Sequence, residues 1–183
     1  MLDIIQSYII KGAILFVIIQ AMLSLQQTLY ERSMKAQIEQ EMFQMSFVLA
    51  SDLRRVSSDT SSLTEYFIIA DTNRLQFKIG DSLSFATAQM HTIDYTITKP
   101  STYYVLNRAV DAGTSLPVGR NLIRFQCQFI DASGNTLTPT PLSATNIVKI
   151  NSILIVAKMQ TTTATKDTVW SIWQAKIYPQ NLK

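Results

Sequence analysis

Side chains that commonly carry out chemistry are scarce and scattered in this chain. His91 is the sole histidine and Cys127 the sole cysteine. No Cys–His pair, Ser–His–Asp pattern or zinc cluster can be read from the sequence, and no glycine-rich phosphate loop occurs. We interpret His91 as a surface or hydrogen-bonded structural residue. The sequence therefore predicts no catalytic site and no cofactor, and it favours a protein that is not an enzyme.

Two further segments have weak chemical signals. Asp131, Ser133 and Asn135 alternate as in the first half of a calcium-binding loop. The glutamate that would complete such a loop is missing downstream, so we interpret the segment as a turn. Cys127 falls on the apolar face of an alternating stretch and is expected to be a small core residue. A lone cysteine forms no internal disulfide and indicates no redox compartment.

Composition narrows the class of protein. The chain has 183 residues, of which 47% are hydrophobic and only 16% charged, with a net charge of +3. The length suits one domain with an extension. The lysines and arginines are dispersed along the sequence rather than grouped on one element, so the charge excess does not indicate nucleic acid. No small-molecule substrate is indicated either.

The strongest signal is the apolar segment 4–25. It is long enough to cross a membrane as a helix, and it lacks the basic start and the small-residue cleavage site of a signal peptide. A signal anchor and the buried core helix of a soluble protein are the alternatives. Lys11 lies within this segment and Asp3 just before it. Lys11 either reaches back to the membrane interface or pairs with an acidic group, such as Asp3, of a neighbouring subunit.

The helical pattern continues beyond residue 25 to about residue 58, without proline and with no glycine after Gly12. The apolar residues of its second part recur every three or four positions and form one stripe. We predict one helix of roughly 55 residues, on the order of 80 Å long. The core of the stripe should pack against the rest of the protein through Ile38, Met42, Met45 and Leu49.

The remainder of the chain has the alternation and turn residues of β-strands. Two hairpins are expected, one around Asp71-Thr72-Asn73 and one around Lys99-Pro100. A helix followed by consecutive strands predicts an α+β fold with an antiparallel sheet packed on the helix stripe. The predicted segments are a loop at 111–120, a strand at 121–130 with Ile123, Phe125, Cys127 and Phe129 on one face, a turn at 131–135, a proline-bearing loop, and strands at 147–160 and 168–178, the last with Trp170 and Trp173 on opposite faces.

This arrangement resembles the type IV pilin superfamily. HTIDYTIT followed by YYVLNR, then NLIRFQCQFIDASGN, then INSILIVAKMQ and a strand ending IYPQNLK, is similar in order and spacing to the J-type minor pseudopilins of type II secretion and to the W-type minor pilins. The resemblance implies a pilin-like α+β fold in three parts. Residues 1–28 would form the membrane or filament-core half of the helix, 29–58 the amphipathic half packed on the head, and 59–183 the β-rich head.

The resemblance also implies a function. It points to a non-enzymatic structural subunit of a membrane-anchored filament or secretion pseudopilus, whose partners are other pilin-like subunits bundled through their N-terminal helices, with membrane lipid around the helix before assembly. The location implied is a single pass through the inner membrane with the head outside the cytoplasm, or a cell-surface filament or its tip. A single-pass scaffold or adaptor, and an anchored enzyme or ligand-binding module, are the alternatives.

The N-terminus departs from the family pattern. Family members carry a short basic leader ending in glycine and, in the mature chain, a glutamate at the fifth position, whereas this chain starts at Met1 and has Ile5 there. Three explanations are compatible with this difference: assembly without cleavage, a start further upstream, or a divergent relative. An unpaired charge buried in a bundle of such helices would be costly, so Asp3 and Lys11 are the candidates for setting the register between neighbouring helices.

Overall fold

One long helix and one antiparallel sheet are the main elements of the described part of the molecule. The computed structural model describes residues 2–56, 66–80, 90–162 and 168–179, with backbone alone at 2–4. The elements are α1 (Leu2–Arg54), β1 (Phe67–Ala70), β2 (Arg74–Gly80), β3 (Met90–Thr98), β4 (Tyr104–Val110), β5 (Leu116–Ile130), α2 (Ala144–Ile147), β6 (Ser152–Thr162) and β7 (Thr168–Ile177). This confirms the predicted α+β fold.

The helix α1 is 53 residues long, which corresponds to about 80 Å at the standard rise. Its two halves differ in their surroundings. From Ile5 to Tyr30 the side chains are exposed, whereas in the second half the apolar stripe is buried against the sheet. The predicted helix is therefore confirmed over residues 2–54, and the expected boundary between helix and head, at 58/59, lies outside the described residues.

The sheet has seven strands in the order of the sequence, each antiparallel to the next. Both predicted hairpins are present: β1 pairs with β2 around the turn at 71–73, and β3 pairs with β4. Such neighbour-to-neighbour pairing needs only short connections, which explains why local turn signals identified both hairpins. The helix packs across β5, β6 and β7.

Residues 111–120 were expected to be a loop, and this expectation is wrong in its second half. The strand β5 begins at Leu116 and runs for 15 residues. A bulge between Leu122 and Arg124 changes which side chains face the core. Leu122 is fully buried, and Ile123, expected on the core face, is only partly buried because the extra residue of the bulge shifts the alternation.

The strand predicted at 147–160 begins five residues later than expected. The short helix α2 and the turn after it occupy 144–149, and β6 starts at Ser152. Ile147 and Ile150 are both buried. A short apolar run such as Ile147, Val148 and Ile150 occurs both in strands and in helices, so the pattern alone could not separate the two. The proline-bearing loop before α2 closes on β1, where the Leu142 amide donates to the Ala70 carbonyl at 2.9 Å.

The hydrophobic core lies between the helix stripe and the inner face of the sheet. Aromatic side chains form its centre, with Phe77 between Phe67 and Tyr95 at centroid distances of 6.0 and 6.2 Å. β5 approaches the helix closely at Gly119, where a Cβ atom would lie 2.5 Å from the Met45 sulfur. On β7 the two tryptophans face opposite ways, as predicted: Trp173 packs against the core and Trp170 is exposed.

Candidate functional site

The exposed half of α1 is the most unusual surface of the molecule. Between Ile5 and Tyr30, fifteen large hydrophobic side chains are 47–71% exposed. Singly exposed apolar residues are normal, but a continuous apolar surface of this length marks a membrane or protein contact. By length and composition α1 is the one candidate membrane span within the described residues.

The two charged residues predicted to act in this half are not brought together within one helix. Lys11 is exposed, and its Nζ lies 5.9 Å from the centre of the Tyr8 ring, one turn earlier. The side chain of Asp3 lies outside the described residues. Eight residues of helix separate Asp3 from Lys11 by about 12 Å along the axis, which is too far for a direct ion pair.

The four residues predicted to pack the helix on the head lie on its buried face. Ile38 and Met42 are 3% and 4% exposed, and Met45 and Leu49 are fully enclosed. The stripe continues through Leu53 to Val56, where an isolated bridge to Ile79 ties the end of the helix to β2. The amphipathic half is therefore an integral part of the head core.

A buried charged cluster joins the helix to the sheet, and sequence analysis missed it. Asp52 lies on the buried face of α1 beside Leu53, with its side chain 6% exposed. The Tyr95 hydroxyl of β3 donates to Asp52 Oδ2 at 2.6 Å. Arg108 of β4 donates to the same carboxylate through Nε to Oδ2 at 2.6 Å and through Nη2 to Oδ1 at 3.3 Å.

The electrostatics of this cluster follow from its position. Burial raises the pKa of Tyr95 strongly, and the negative charge of Asp52 raises it further, so the phenol remains a hydrogen-bond donor. Burial acts to lower the pKa of Arg108, but the hydrogen bond and charge of Asp52 outweigh it and raise the pKa overall. Tyr95 and Arg108 occur in HTIDYTIT and YYVLNR, two of the segments on which the family resemblance was based. Sequence analysis did not identify Asp52 as the residue that binds both.

An aromatic pair lies on the opposite side of the amphipathic half. Phe43 and Phe47, one turn apart, are 67% and 65% exposed, and their rings stack at 6.3 Å. At 100° per residue they face away from the stripe that contains Met42, Met45 and Leu49. No described part of the head covers them. This pair extends the apolar surface of the first half of α1 into the part of the helix that the head holds.

The other side chains of the head that could bind a metal or react are held in local hydrogen bonds. His91 Nδ1 lies 2.6 Å from Asp111 Oδ2 at the sheet surface. In the turn after β5, Asp131 accepts hydrogen bonds from the amide and the side chain of Asn135, and Gly134 has a φ of 87° that suits glycine. Among the described residues, no three His, Cys, Asp or Glu side chains are grouped as a metal site.

Burial raises the pKa of the Cys127 thiol to about 12, since the charged thiolate would have to form inside the core. The residue therefore has the protonation state of an inert structural thiol. Its position on the core face of β5 agrees with the alternation seen in the sequence.

Comparison with protein-family models gives no match, and comparison with curated protein sequences gives none either. The architecture, a long apolar helix followed by an antiparallel sheet, is compatible with a pilin-like protein.

Proposed function

We propose that the chain is a non-enzymatic structural subunit, similar to a minor pilin or pseudopilin, of a membrane-anchored filament or secretion pseudopilus. The observation that carries this proposal is the shape of α1. One uninterrupted helix has an apolar half with exposed side chains and a second half built into the head core. In this proposal the head lies outside the cytoplasm, an orientation that comes from the family resemblance.

The exposed half needs an apolar environment. Burying fifteen large hydrophobic side chains is favourable by on the order of tens of kcal/mol, because each contributes about 1.5–3 kcal/mol when fully buried. A bilayer provides that environment for a single subunit. A bundle of such helices provides it again when subunits leave the bilayer, so assembly and membrane extraction can exchange one apolar environment for another.

Two further features support side-by-side packing of helices. The exposed pair Phe43 and Phe47 offers an apolar contact above the membrane segment, on the side that the head leaves open. The cluster around Asp52 fixes the head to the helix, so an axial displacement of one helix carries its head along. A buried unpaired charge is costly in a bundle, and pairing of Lys11 with Asp3 of a staggered neighbour would remove that cost.

The proposal is tested first at the membrane and then in the assembly. Carbonate extraction of membranes should leave the full chain in the pellet, and electron microscopy of the purified protein with its co-purifying partners should show filaments or tip complexes with a central helix bundle. Complete release by carbonate would refute the membrane anchor. A chain that stays anchored but is only ever found as a single helix in a larger complex would favour the scaffold or adaptor alternative.

The aromatic pair allows a more specific test. The double variant Phe43→Ser/Phe47→Ser should reduce incorporation into the assembly, measured by co-purification, while the head stays folded. The matched control Ile68→Ser/Val148→Ser removes two exposed apolar side chains from the sheet and from the turn after α2, with 45% and 44% exposure. Equal loss of assembly in both double variants would argue against helix packing through this face.

A further inference from the structure

A half-open groove of about 410 Å³ lies on the head, where β5 extends beyond its pairing with β4. Its volume is in the range of ligand-binding clefts. One wall comes from the β1–β2 turn, one from the ends of β3 and β4, and the floor from β5. The lining residues are Thr72, Asn73, Ile97, Lys99, Tyr104, Ile123, Arg124, Phe125 and Gln126.

The groove has positive charge and no negative charge in its lining. Lys99 lies with its Nζ 5.0 Å above the centre of the Tyr104 ring. Arg124 donates through Nε and Nη2 to the neutral oxygen of Gln126, at 3.1 and 2.7 Å. Within the described residues neither cation forms an ion pair with a carboxylate. Both can therefore bind an incoming anion without first breaking an existing pair.

The floor of the groove is a strand edge. Pairing of β4 with β5 ends at Tyr104 and Leu122, so that in the described residues β5 continues past β4 without a strand on that side. The Phe129 carbonyl accepts from the Leu137 amide on the same side, at 2.8 Å. Since main-chain groups alternate along a strand, those of Phe125 point the same way, into the groove.

No residue of α1 is among those that line the groove. Ile97 and Phe125 line the groove on one side, and on the other they line a small cavity that reaches Leu49 of α1. A bundle that forms through α1 alone would not use the residues that line the groove. The groove can therefore bind a molecule that is not part of the bundle.

We propose that this groove binds an extended acidic segment of another protein. The open edge of β5 would pair with the main chain of the segment as an added strand. Lys99 and Arg124 would bind its carboxylates, and Ile97, Tyr104 and Phe125 would contact its alternate apolar side chains. This inference goes beyond the proposed function and does not depend on filament formation.

The test uses the full chain in detergent and a defined probe. The probe is a fluorescein-labelled peptide with the core Thr-Glu-Val-Glu-Val-Thr, and fluorescence anisotropy measures its binding at low ionic strength, where exposed charges act most strongly. We expect the acidic probe to bind at least tenfold more tightly than the same peptide with lysine in place of glutamate. A version with alternate N-methylated amides should bind at least fivefold more weakly, because it cannot form the edge hydrogen bonds.

Substitution of the cations locates the site. Lys99→Gln/Arg124→Gln should weaken binding of the acidic probe at least tenfold, and the matched control Lys149→Gln/Lys176→Gln should change it less than twofold. Four results would each overturn the proposal: equal binding of acidic and basic probes, an equal effect of the control variant, no binding by the folded chain, or displacement of the probe by equimolar sodium acetate. Self-association lost in the groove variant would instead identify a second copy as the occupant, and would also overturn it.

Discussion

Removal of Arg108 should destabilise the head more than any other single loss of a surface-accessible charge among the described residues. Asp52 is nearly enclosed, and two donors, Tyr95 and Arg108, hold its carboxylate. In the variant Arg108→Met the carboxylate keeps one neutral donor and loses its counter-charge. Removing one member of a buried pair costs about 3–5 kcal/mol.

The lower end of that range applies here, because the Arg108 side chain is 25% exposed and water can reach its edge. We therefore expect a loss of about 3 kcal/mol. For a domain of this size, that corresponds to a decrease of about 6–12 °C in Tm. The matched control is Arg74→Met, which breaks the exposed pair with Asp94 at 2.7 Å and should cost less than about 1 kcal/mol.

Thermal unfolding of the full chain in detergent, followed by near-ultraviolet circular dichroism, measures these losses. A double-mutant cycle with Asp52→Leu separates the pair from its surroundings. Because the double variant leaves no orphaned charge, its loss should be smaller than the sum of the single losses by at least about 1.5 kcal/mol. Additive losses, or an Arg108→Met variant whose Tm falls no further than that of Arg74→Met, would refute the view that this cluster joins helix and sheet.

Three other predictions follow from the same structure. Leu49→Ala should cost about 3 kcal/mol in head stability, since Leu49 is fully enclosed; a loss below about 0.5 kcal/mol would place it outside the core. Cys127 should resist a thiol-specific disulfide reagent at pH 8 until the chain is unfolded in denaturant, and rapid labelling of the native protein would contradict its burial. A hydrogen bond from His91, together with the Thr92 amide, lowers the pKa of Asp111 below its ordinary 3.8, so its contribution to stability is present above pH 3.8 and is lost as the pH falls through the lower, folded-state pKa. Asp111→Asn should reduce the dependence of Tm on pH in that acid range, and an unchanged acid profile would exclude the contribution.

The hairpins, the helix and the helix stripe were accessible from sequence because each depends on residues close together in the chain. Alternation correctly predicted the core face of β5 for Cys127 and Phe129, which are buried, and for Phe125, which is partly buried and packs against the core. It failed at Ile123, because one bulge shifts the phase of the pattern and no local residue announces it. The short helix α2 was predicted as strand, since a short apolar run such as Ile147, Val148 and Ile150 occurs in either structure.

Among the predicted sites, too, those that depend on local sequence could be identified, and those that depend on distant contacts could not. Ile38, Met42, Met45 and Leu49 could be selected from sequence because a single helical period places them on one face. The exposure of Phe43 and Phe47 follows from the same period, but it becomes meaningful only when the sheet is seen to cover the other side. The contact between Lys11 and Asp3 remains a prediction, because it is proposed to form between two subunits.

Helix and strand periods and turn residues are local properties of a sequence. They were sufficient to predict one long helix with an apolar and an amphipathic half, followed by strands in antiparallel pairs. The position of the buried charge and of the open groove became known from the folded structure. In the sequence Asp52 is 43 positions from Tyr95 and 56 positions from Arg108. The groove is lined by residues of the β1–β2 turn, of the ends of β3 and β4, and of β5. Sequence periodicity does not reveal such contacts, because they depend on how the sheet curves around the helix and on where one strand extends beyond its neighbour.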